Sequence, residues 1–67
     1  MVSILITGAS GLLGRVVLAT CRQVPAWQVS GTALRRTQAG LDRLDLCDAR
    51  AVKEVLDTRQ PRILVHC

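Results

Sequence analysis

Apolar residues fall in short runs set apart by glycine, proline or polar stretches. Val2 to Thr7 (VSILIT) is broken only by Ser3 and stops at Gly8. A β-branched and leucine run of this length suits a strand buried on both faces, as in a parallel sheet. Gly8-Ala9-Ser10-Gly11 then reads as a turn. From Leu12 to Arg22 the period lengthens. Leu13, Val16, Val17 and Thr20 share one face at i, i+3, i+4 and i+7, widened by Leu12 and Ala19. This predicts a helix seated on the sheet by that face, ended with the help of Pro25.

Trp27 to Thr32 predicts a second, shorter strand ending near Gly31. Leu34 to Gly40 is polar and basic, and too short for a helix with its turns, so it predicts a loop. Leu41 to Leu46 alternates imperfectly and predicts a short third strand. The gap before it is shorter than the dozen or so residues usual for a parallel crossover, which stands in tension with parallel pairing there. Asp48 is a suitable N-cap for a helix over Ala49 to Arg59. Val52, Val55, Leu56 and Arg59 would share a face, with Val55 and Leu56 as anchors, while Lys53 and Asp57 pair at i, i+4 on the wet side. Pro61 stops the helix, and Ile63-Leu64-Val65 forms a last apolar strand running into His66 and Cys67. The order strand, helix, strand, strand, helix, strand predicts an α/β fold: the N-terminal part of a doubly wound parallel sheet of order 3-2-1-4, with right-handed crossovers.

Composition narrows the class. The chain has 67 residues, 49% of them hydrophobic and 21% charged, which excludes intrinsic disorder and allows one small domain. A domain this size buries only about 60% of its unfolded surface, so its stability is slim. Trp27 is the only aromatic residue, so the core is aliphatic and stacking platforms for single-stranded nucleic acid are missing. The net charge of +4 comes from eight arginines and Lys53, scattered except for Arg35-Arg36. That pattern favours small phosphate-bearing ligands over a nucleic-acid duplex. Cys21, Cys47 and Cys67 show no CxxC spacing and read as reduced thiols of an intracellular chain, expected in the cytoplasm. No basic-flanked leader opens the chain, and no run approaches the ~18 apolar residues of a membrane span, so no membrane association is expected.

The candidate chemistry lies in Thr7-Gly8-Ala9-Ser10-Gly11-Leu12-Leu13-Gly14. Glycines spaced GxxGxxG after an apolar strand and before an amphipathic helix suit a dinucleotide site. Gly8 would make the tight turn, Gly11 would let the backbone approach a pyrophosphate, and Gly14 would bring the helix close to the strand. Backbone N–H groups from Ser10 to Leu13 would face the phosphates, with the helix dipole behind them. The alternative is a glycine-rich turn without a ligand. After the second strand, where an Asp or Glu usually holds the ribose 2′-hydroxyl of NAD, the chain carries Thr32-Ala33-Leu34-Arg35-Arg36. Two guanidinium groups there suit a 2′-phosphate, which favours NADP over NAD; the alternative is a pair of solvated loop charges. Asp45 could accept a hydrogen bond from an adenine amino group, or be a capping or surface carboxylate. Cys67 reads as a small apolar wall of the cofactor cleft, without the neighbours of a reactive thiol. His66 is given no chemistry, and Trp27 is read as a core or edge filler. No metal site is expected.

These residues resemble the N-terminus of an extended short-chain dehydrogenase/reductase. Within that superfamily the chain is similar to the dTDP-dehydrorhamnose reductase family, and most to its non-catalytic branch, the regulatory β subunits of methionine adenosyltransferase. The resemblance rests on Gly8 to Arg15 (GASGLLGR), Arg35-Arg36, Leu44 to Ala49 with Ala51-Val52, and Gln60 to Cys67. Reductases more often have Asn-Ala-Ala where this chain has His66-Cys67, which favours the regulatory branch. The resemblance implies that Ser10, Gly11, Leu12 and Leu13 lie on the pyrophosphate. It places Leu34, Arg35 and Arg36 by the adenosine ribose and its phosphate, Asp45 and Leu46 by the adenine, and Cys67 near the nicotinamide side. It also implies a Tyr-xxx-Lys pair, further strands and a C-terminal substrate domain. The 67 residues contain no Tyr, so no catalytic residues are expected among them and the chain reads as a fragment cut after the fourth strand. Three functions compete. The first is an NADP-binding part of a regulator that supports a catalytic methionine adenosyltransferase subunit, in S-adenosylmethionine biosynthesis. The second is the cofactor half of an NADPH-dependent sugar-nucleotide reductase. The third is a basic nucleic-acid-binding domain.

Overall fold

The computed structural model describes residues 1–35 and 40–67. Its elements are β1 (Val2–Thr7), α1 (Leu12–Arg22), β2 (Trp27–Ala33), β3 (Leu41–Arg43), α2 (Ala49–Arg59) and β4 (Ile63–His66). The four strands form one parallel sheet of order β3-β2-β1-β4, as the alternation of elements predicts. β1 is central, with Ile4 opposite both Val29 and Ile63 and Thr7 opposite His66. β2 and β3 pair in parallel, Gly31 opposite Leu41, despite the short connection between them.

The two faces of the sheet differ in chemistry. Ile4 and Ile6 of β1, Ala33 of β2 and Leu41 of β3 are buried together beneath α1, with Val2, Val29 and Val65 packed at the margins. The opposite face carries Leu5 and Thr7 together with Gln28, Ser30, Thr32 and Asp42, since side chains alternate along each strand. α2 lies over this mixed face and buries no residue of its own. Val55 is half-buried and Leu56 is exposed, so neither anchors α2 as its apolar period suggests. A cavity of about 240 Å³ separates Val52, Val55 and Leu56 from Leu5, Leu44, Leu46 and Leu64. Helix α2 is tied to the sheet at its C-terminal end, where Arg59 Nε donates to Asp42 of β3 at 3.2 Å, while the Asp48 carboxylate caps its own N-terminus by accepting from the Ala51 N–H at 3.1 Å. Lys53 and Asp57 pair at 2.7 Å on the exposed side.

Helix α1 sits differently from its expected placement. The face turned to the sheet is Gly14, Val17, Leu18 and Cys21, while Leu12, Leu13 and Val16 are exposed. Of the residues expected on the buried face, only Val17 touches the core. A helix apolar nearly all round fits a core with more than one face, and the side that approaches most closely wins. Gly14 supplies that side because it carries no Cβ. β3 also ends earlier than the alternation suggests, at Arg43 rather than Leu46, because the Asp45 side chain closes a turn: its Oδ1 accepts from the Cys47 N–H at 2.9 Å. β2 runs one residue past Thr32, to Ala33. Trp27 lies at the start of β2, part-exposed, as an edge residue.

Candidate functional site

The site grows from the end of β1. Thr7 is buried there, and the chain then reverses through Gly8, whose φ of +67° only glycine adopts without strain. The Ala9 N–H donates to the Thr32 carbonyl at 2.8 Å, and the Gly11 N–H donates to the Gly8 carbonyl at 3.1 Å. The turn is thereby pinned to β2 and delivers the chain into α1 with Gly11 as N-cap. No side chain caps this helix and no acidic residue stands in its first turn. The first-turn N–H groups from Leu12 to Gly14 have no intrahelical acceptors, since the ladder begins with Arg15 N–H donating to Gly11 at 2.9 Å. Unblocked donors and the positive end of the dipole leave this corner suited to an anion.

The glycines differ in what surrounds them. A Cβ on Gly14 would collide with the Gly8 carbonyl and the Ala9 backbone, so Gly14 serves the approach of helix to turn. A Cβ on Gly11 would meet only the Gly8 oxygen, at 3.4 Å, an ordinary contact. Gly11 is exposed, and nothing within the fold requires a glycine there. A ligand close to the backbone would require one, and this is the fit expected of a pyrophosphate.

Beside the turn is a largely apolar cavity of about 260 Å³, lined by Gly8, Thr32, Ala33, Leu34, Leu44, Asp45, Leu46 and Cys47. It gathers four of the expected site residues (Gly8, Leu34, Asp45 and Leu46) onto one slot between the ends of β2 and β3. One oxygen of Asp45 is engaged by the Cys47 N–H, so the carboxylate caps its own turn as well as bordering the cavity. Arg35 follows Leu34 and is exposed; Arg36 lies outside the described residues. Ser10 is half-buried in the turn, and Leu12 and Leu13 project from the first turn of α1. Cys67 lies on the other side of β1, where its N–H donates to the Thr7 carbonyl at 3.2 Å. A Cβ on Gly8 would stand 2.5 Å from the Cys67 oxygen, so the end of β4 is pressed against the turn.

Sequence reasoning missed Thr32, Leu44 and Cys47 as cavity walls. The loop after β3 brings Leu44 and Cys47 back over the strand ends, and no local signal marks that return. It also missed His66, whose Nδ1 lies 2.7 Å from the Thr7 hydroxyl. Among the described residues no cluster of His, Cys, Asp or Glu could hold a metal ion, and no helix is long and apolar enough to cross a membrane.

The chain is similar in sequence to known proteins. Methionine adenosyltransferase 2 subunit beta of Rattus norvegicus is 39% identical over 64 residues, which is 96% of this chain and 19% of the relative. The Xenopus tropicalis protein of the same name is 40% identical over 63 residues, covering 94% and 19%. The Danio rerio protein is 36% identical over 64 residues, covering 96% and 20%. The chain thus spans about a fifth of the length of these relatives. The model of the NAD dependent epimerase/dehydratase family matches residues 4–67, glycine turn and fourth strand included, and the chain belongs to that family.

Proposed function

We propose that the chain is the NADP-binding N-terminal part of a non-catalytic regulatory subunit of methionine adenosyltransferase, of the dTDP-dehydrorhamnose reductase branch of its family. The observation that carries the reading is the joining of an uncapped helix start behind Gly8–Gly11 to the cavity at Leu34, Asp45 and Leu46. The first would hold the pyrophosphate on the N–H groups near Ser10 to Leu13, and the second would take the flat apolar adenine. Arg35 and Arg36 would fork onto the 2′-phosphate, and Cys67 would border the nicotinamide side. NADP supplies a hydride-transfer centre when bound. In this reading it serves as a structural ligand instead, and a catalytic methionine adenosyltransferase subunit is the partner of the longer, cytoplasmic protein. The likeness to the β subunits supports this partner.

A second reading is favoured by the family match. The same residues would form the cofactor half of an NADPH-dependent sugar-nucleotide reductase. Gene sequence contiguous with Cys67 discriminates: a Tyr-xxx-Lys pair with sugar-nucleotide contacts supports the reductase, and their absence supports the regulator. Titration calorimetry of NADP and NAD tests the cofactor in either case, with trimethylamine N-oxide added to favour the compact chain. Tighter binding of NADP, lost in the Arg35→Ala, Arg36→Ala double variant, is expected. Equal affinity of the unaltered chain for both cofactors overturns the NADP assignment.

A further inference from the structure

Thr7 and His66 end two neighbouring strands, face each other in register, and project on the α2 side of the sheet. Thr7 is 4% exposed, and its hydroxyl lies 2.7 Å from His66 Nδ1. With the proton on Nε2, the hydroxyl donates to Nδ1. With Nδ1 protonated the roles reverse, and the hydroxyl can turn to the Val65 carbonyl, 3.5 Å away. The pair therefore holds with either neutral tautomer of the ring. It is also the polar end of an otherwise leucine- and valine-lined cavity. Thr7 is buried while His66 is exposed, so the bond runs from the sheet interior to its surface.

Its place in the topology gives the pair its consequence. The chain winds outward from β1 to β3 on one side and returns to β4 on the other, so β1 and β4 flank the point where the strand order reverses. Ligands of open α/β sheets bind in the crevice outside the strand ends at that point. Thr7 immediately precedes Gly8, and His66 immediately precedes Cys67. Gly8 and Cys67 are the residues in close backbone approach across the crevice floor.

We propose that His66 is a positioning residue: through the Thr7 hydroxyl it clasps β4 to β1 and sets the Gly8–Cys67 approach over which the nicotinamide half of a dinucleotide must pass. The proposal rests on the dinucleotide reading above. It predicts an effect confined to one half of the ligand. The adenosine cavity lies over the ends of β2 and β3 and reaches the turn only at Gly8. A ligand ending at the adenosine phosphates meets the Gly8 side of the approach and stops short of Cys67, whereas a whole dinucleotide must pass both.

The test uses two probes, NADP and 2′,5′-ADP, on the unaltered chain and on Thr7→Val, Thr7→Ser and His66→Leu. Thr7→Val keeps the shape and removes the hydroxyl; Thr7→Ser keeps the hydroxyl. Thr7→Val and His66→Leu are expected to weaken NADP by roughly threefold to tenfold, the worth of one such hydrogen bond. The double variant should lose no more than either single one, Thr7→Ser should bind as the unaltered chain does, and 2′,5′-ADP should bind all of them alike. A second measurement needs no variant: the His66 ring nitrogen resonances should shift on adding NADP and stay in place with 2′,5′-ADP. Equal loss of both probes in the variants, no loss of NADP, or ring resonances indifferent to NADP overturns the clasp. If the unaltered chain, shown folded by circular dichroism in trimethylamine N-oxide, binds neither probe, the dinucleotide reading falls and the clasp falls with it. Binding of 2′,5′-ADP with these variants neutral towards NADP leaves that reading standing and removes the clasp alone.

Discussion

Gly14, in the first turn of α1, lies against the carbonyl of Gly8, in the turn that precedes the helix, with no room for a Cβ between them. The helix can come this near only because position 14 has no side chain, and this approach turns Val17, Leu18 and Cys21 to the sheet. Gly14→Ala is expected to destabilise the fold. Overpacking of this kind costs about 1–3 kcal/mol, offset by up to about 1 kcal/mol of better helix propensity. In a folding titration with trimethylamine N-oxide, followed by circular dichroism, the midpoint should move to higher osmolyte. An unchanged midpoint would show that the turn yields freely.

Gly11→Val should do the reverse. The Gly11 backbone, at φ −72° and ψ 171°, accepts a β-branched residue, and its Cβ would make only an ordinary contact with the Gly8 oxygen at 3.4 Å. The osmolyte midpoint should therefore shift little, beyond the few tenths to about 1 kcal/mol of a poorer N-cap. Binding of NADP should be lost, because the added methyls occupy the place assigned to the pyrophosphate. A valine variant that binds NADP normally would remove the phosphate site from this turn.

The isolated chain should be marginal. β4 leaves one edge of its backbone unpaired, and Ile63 and Leu64 remain about half exposed, at 46% and 54%. Full burial of such a side chain is worth roughly 1.5–3 kcal/mol, against a typical total of about 5–15 kcal/mol. An open apolar edge also invites pairing between chains. Thermal circular dichroism should show a broad, low-temperature loss of structure, and size exclusion should show assemblies. A monomer with a sharp transition well above room temperature would contradict this.

The Asp48 cap and the Lys53–Asp57 pair of α2 should carry unequal weight. Asp48→Ala removes the acceptor for the Ala51 N–H and should cost about 1 kcal/mol. Lys53→Ala removes a pair whose side chains are 76% and 65% exposed and should stay within about 0.5 kcal/mol. The same osmolyte titration ranks them, and a larger loss from Lys53→Ala would mean that the exposed ion pair matters more to α2 than its N-cap does.

The sequence determined the strands, both helices, the strand order and the position of the glycine turn. Each follows from a local cause: the apolar run to Thr7, the stop at Gly8, the Asp48 cap and Pro61. Tertiary structure decided which face of α1 is buried. Leu12, Leu13 and Val16 are as apolar as Val17 and Leu18, so periodicity could not separate them, and the close approach at Gly14 did. It also decided how loosely α2 sits. The apolar stripe of α2 is legible, but it stands across a cavity from Leu5, Leu44, Leu46 and Leu64, which come together only once β1, β4 and the loop after β3 lie side by side. The loop after β3 and the Thr7–His66 contact belong to the same class. Residues far apart in the chain meet there because parallel strands align their ends, and a pattern read along one strand carries no information about its neighbour.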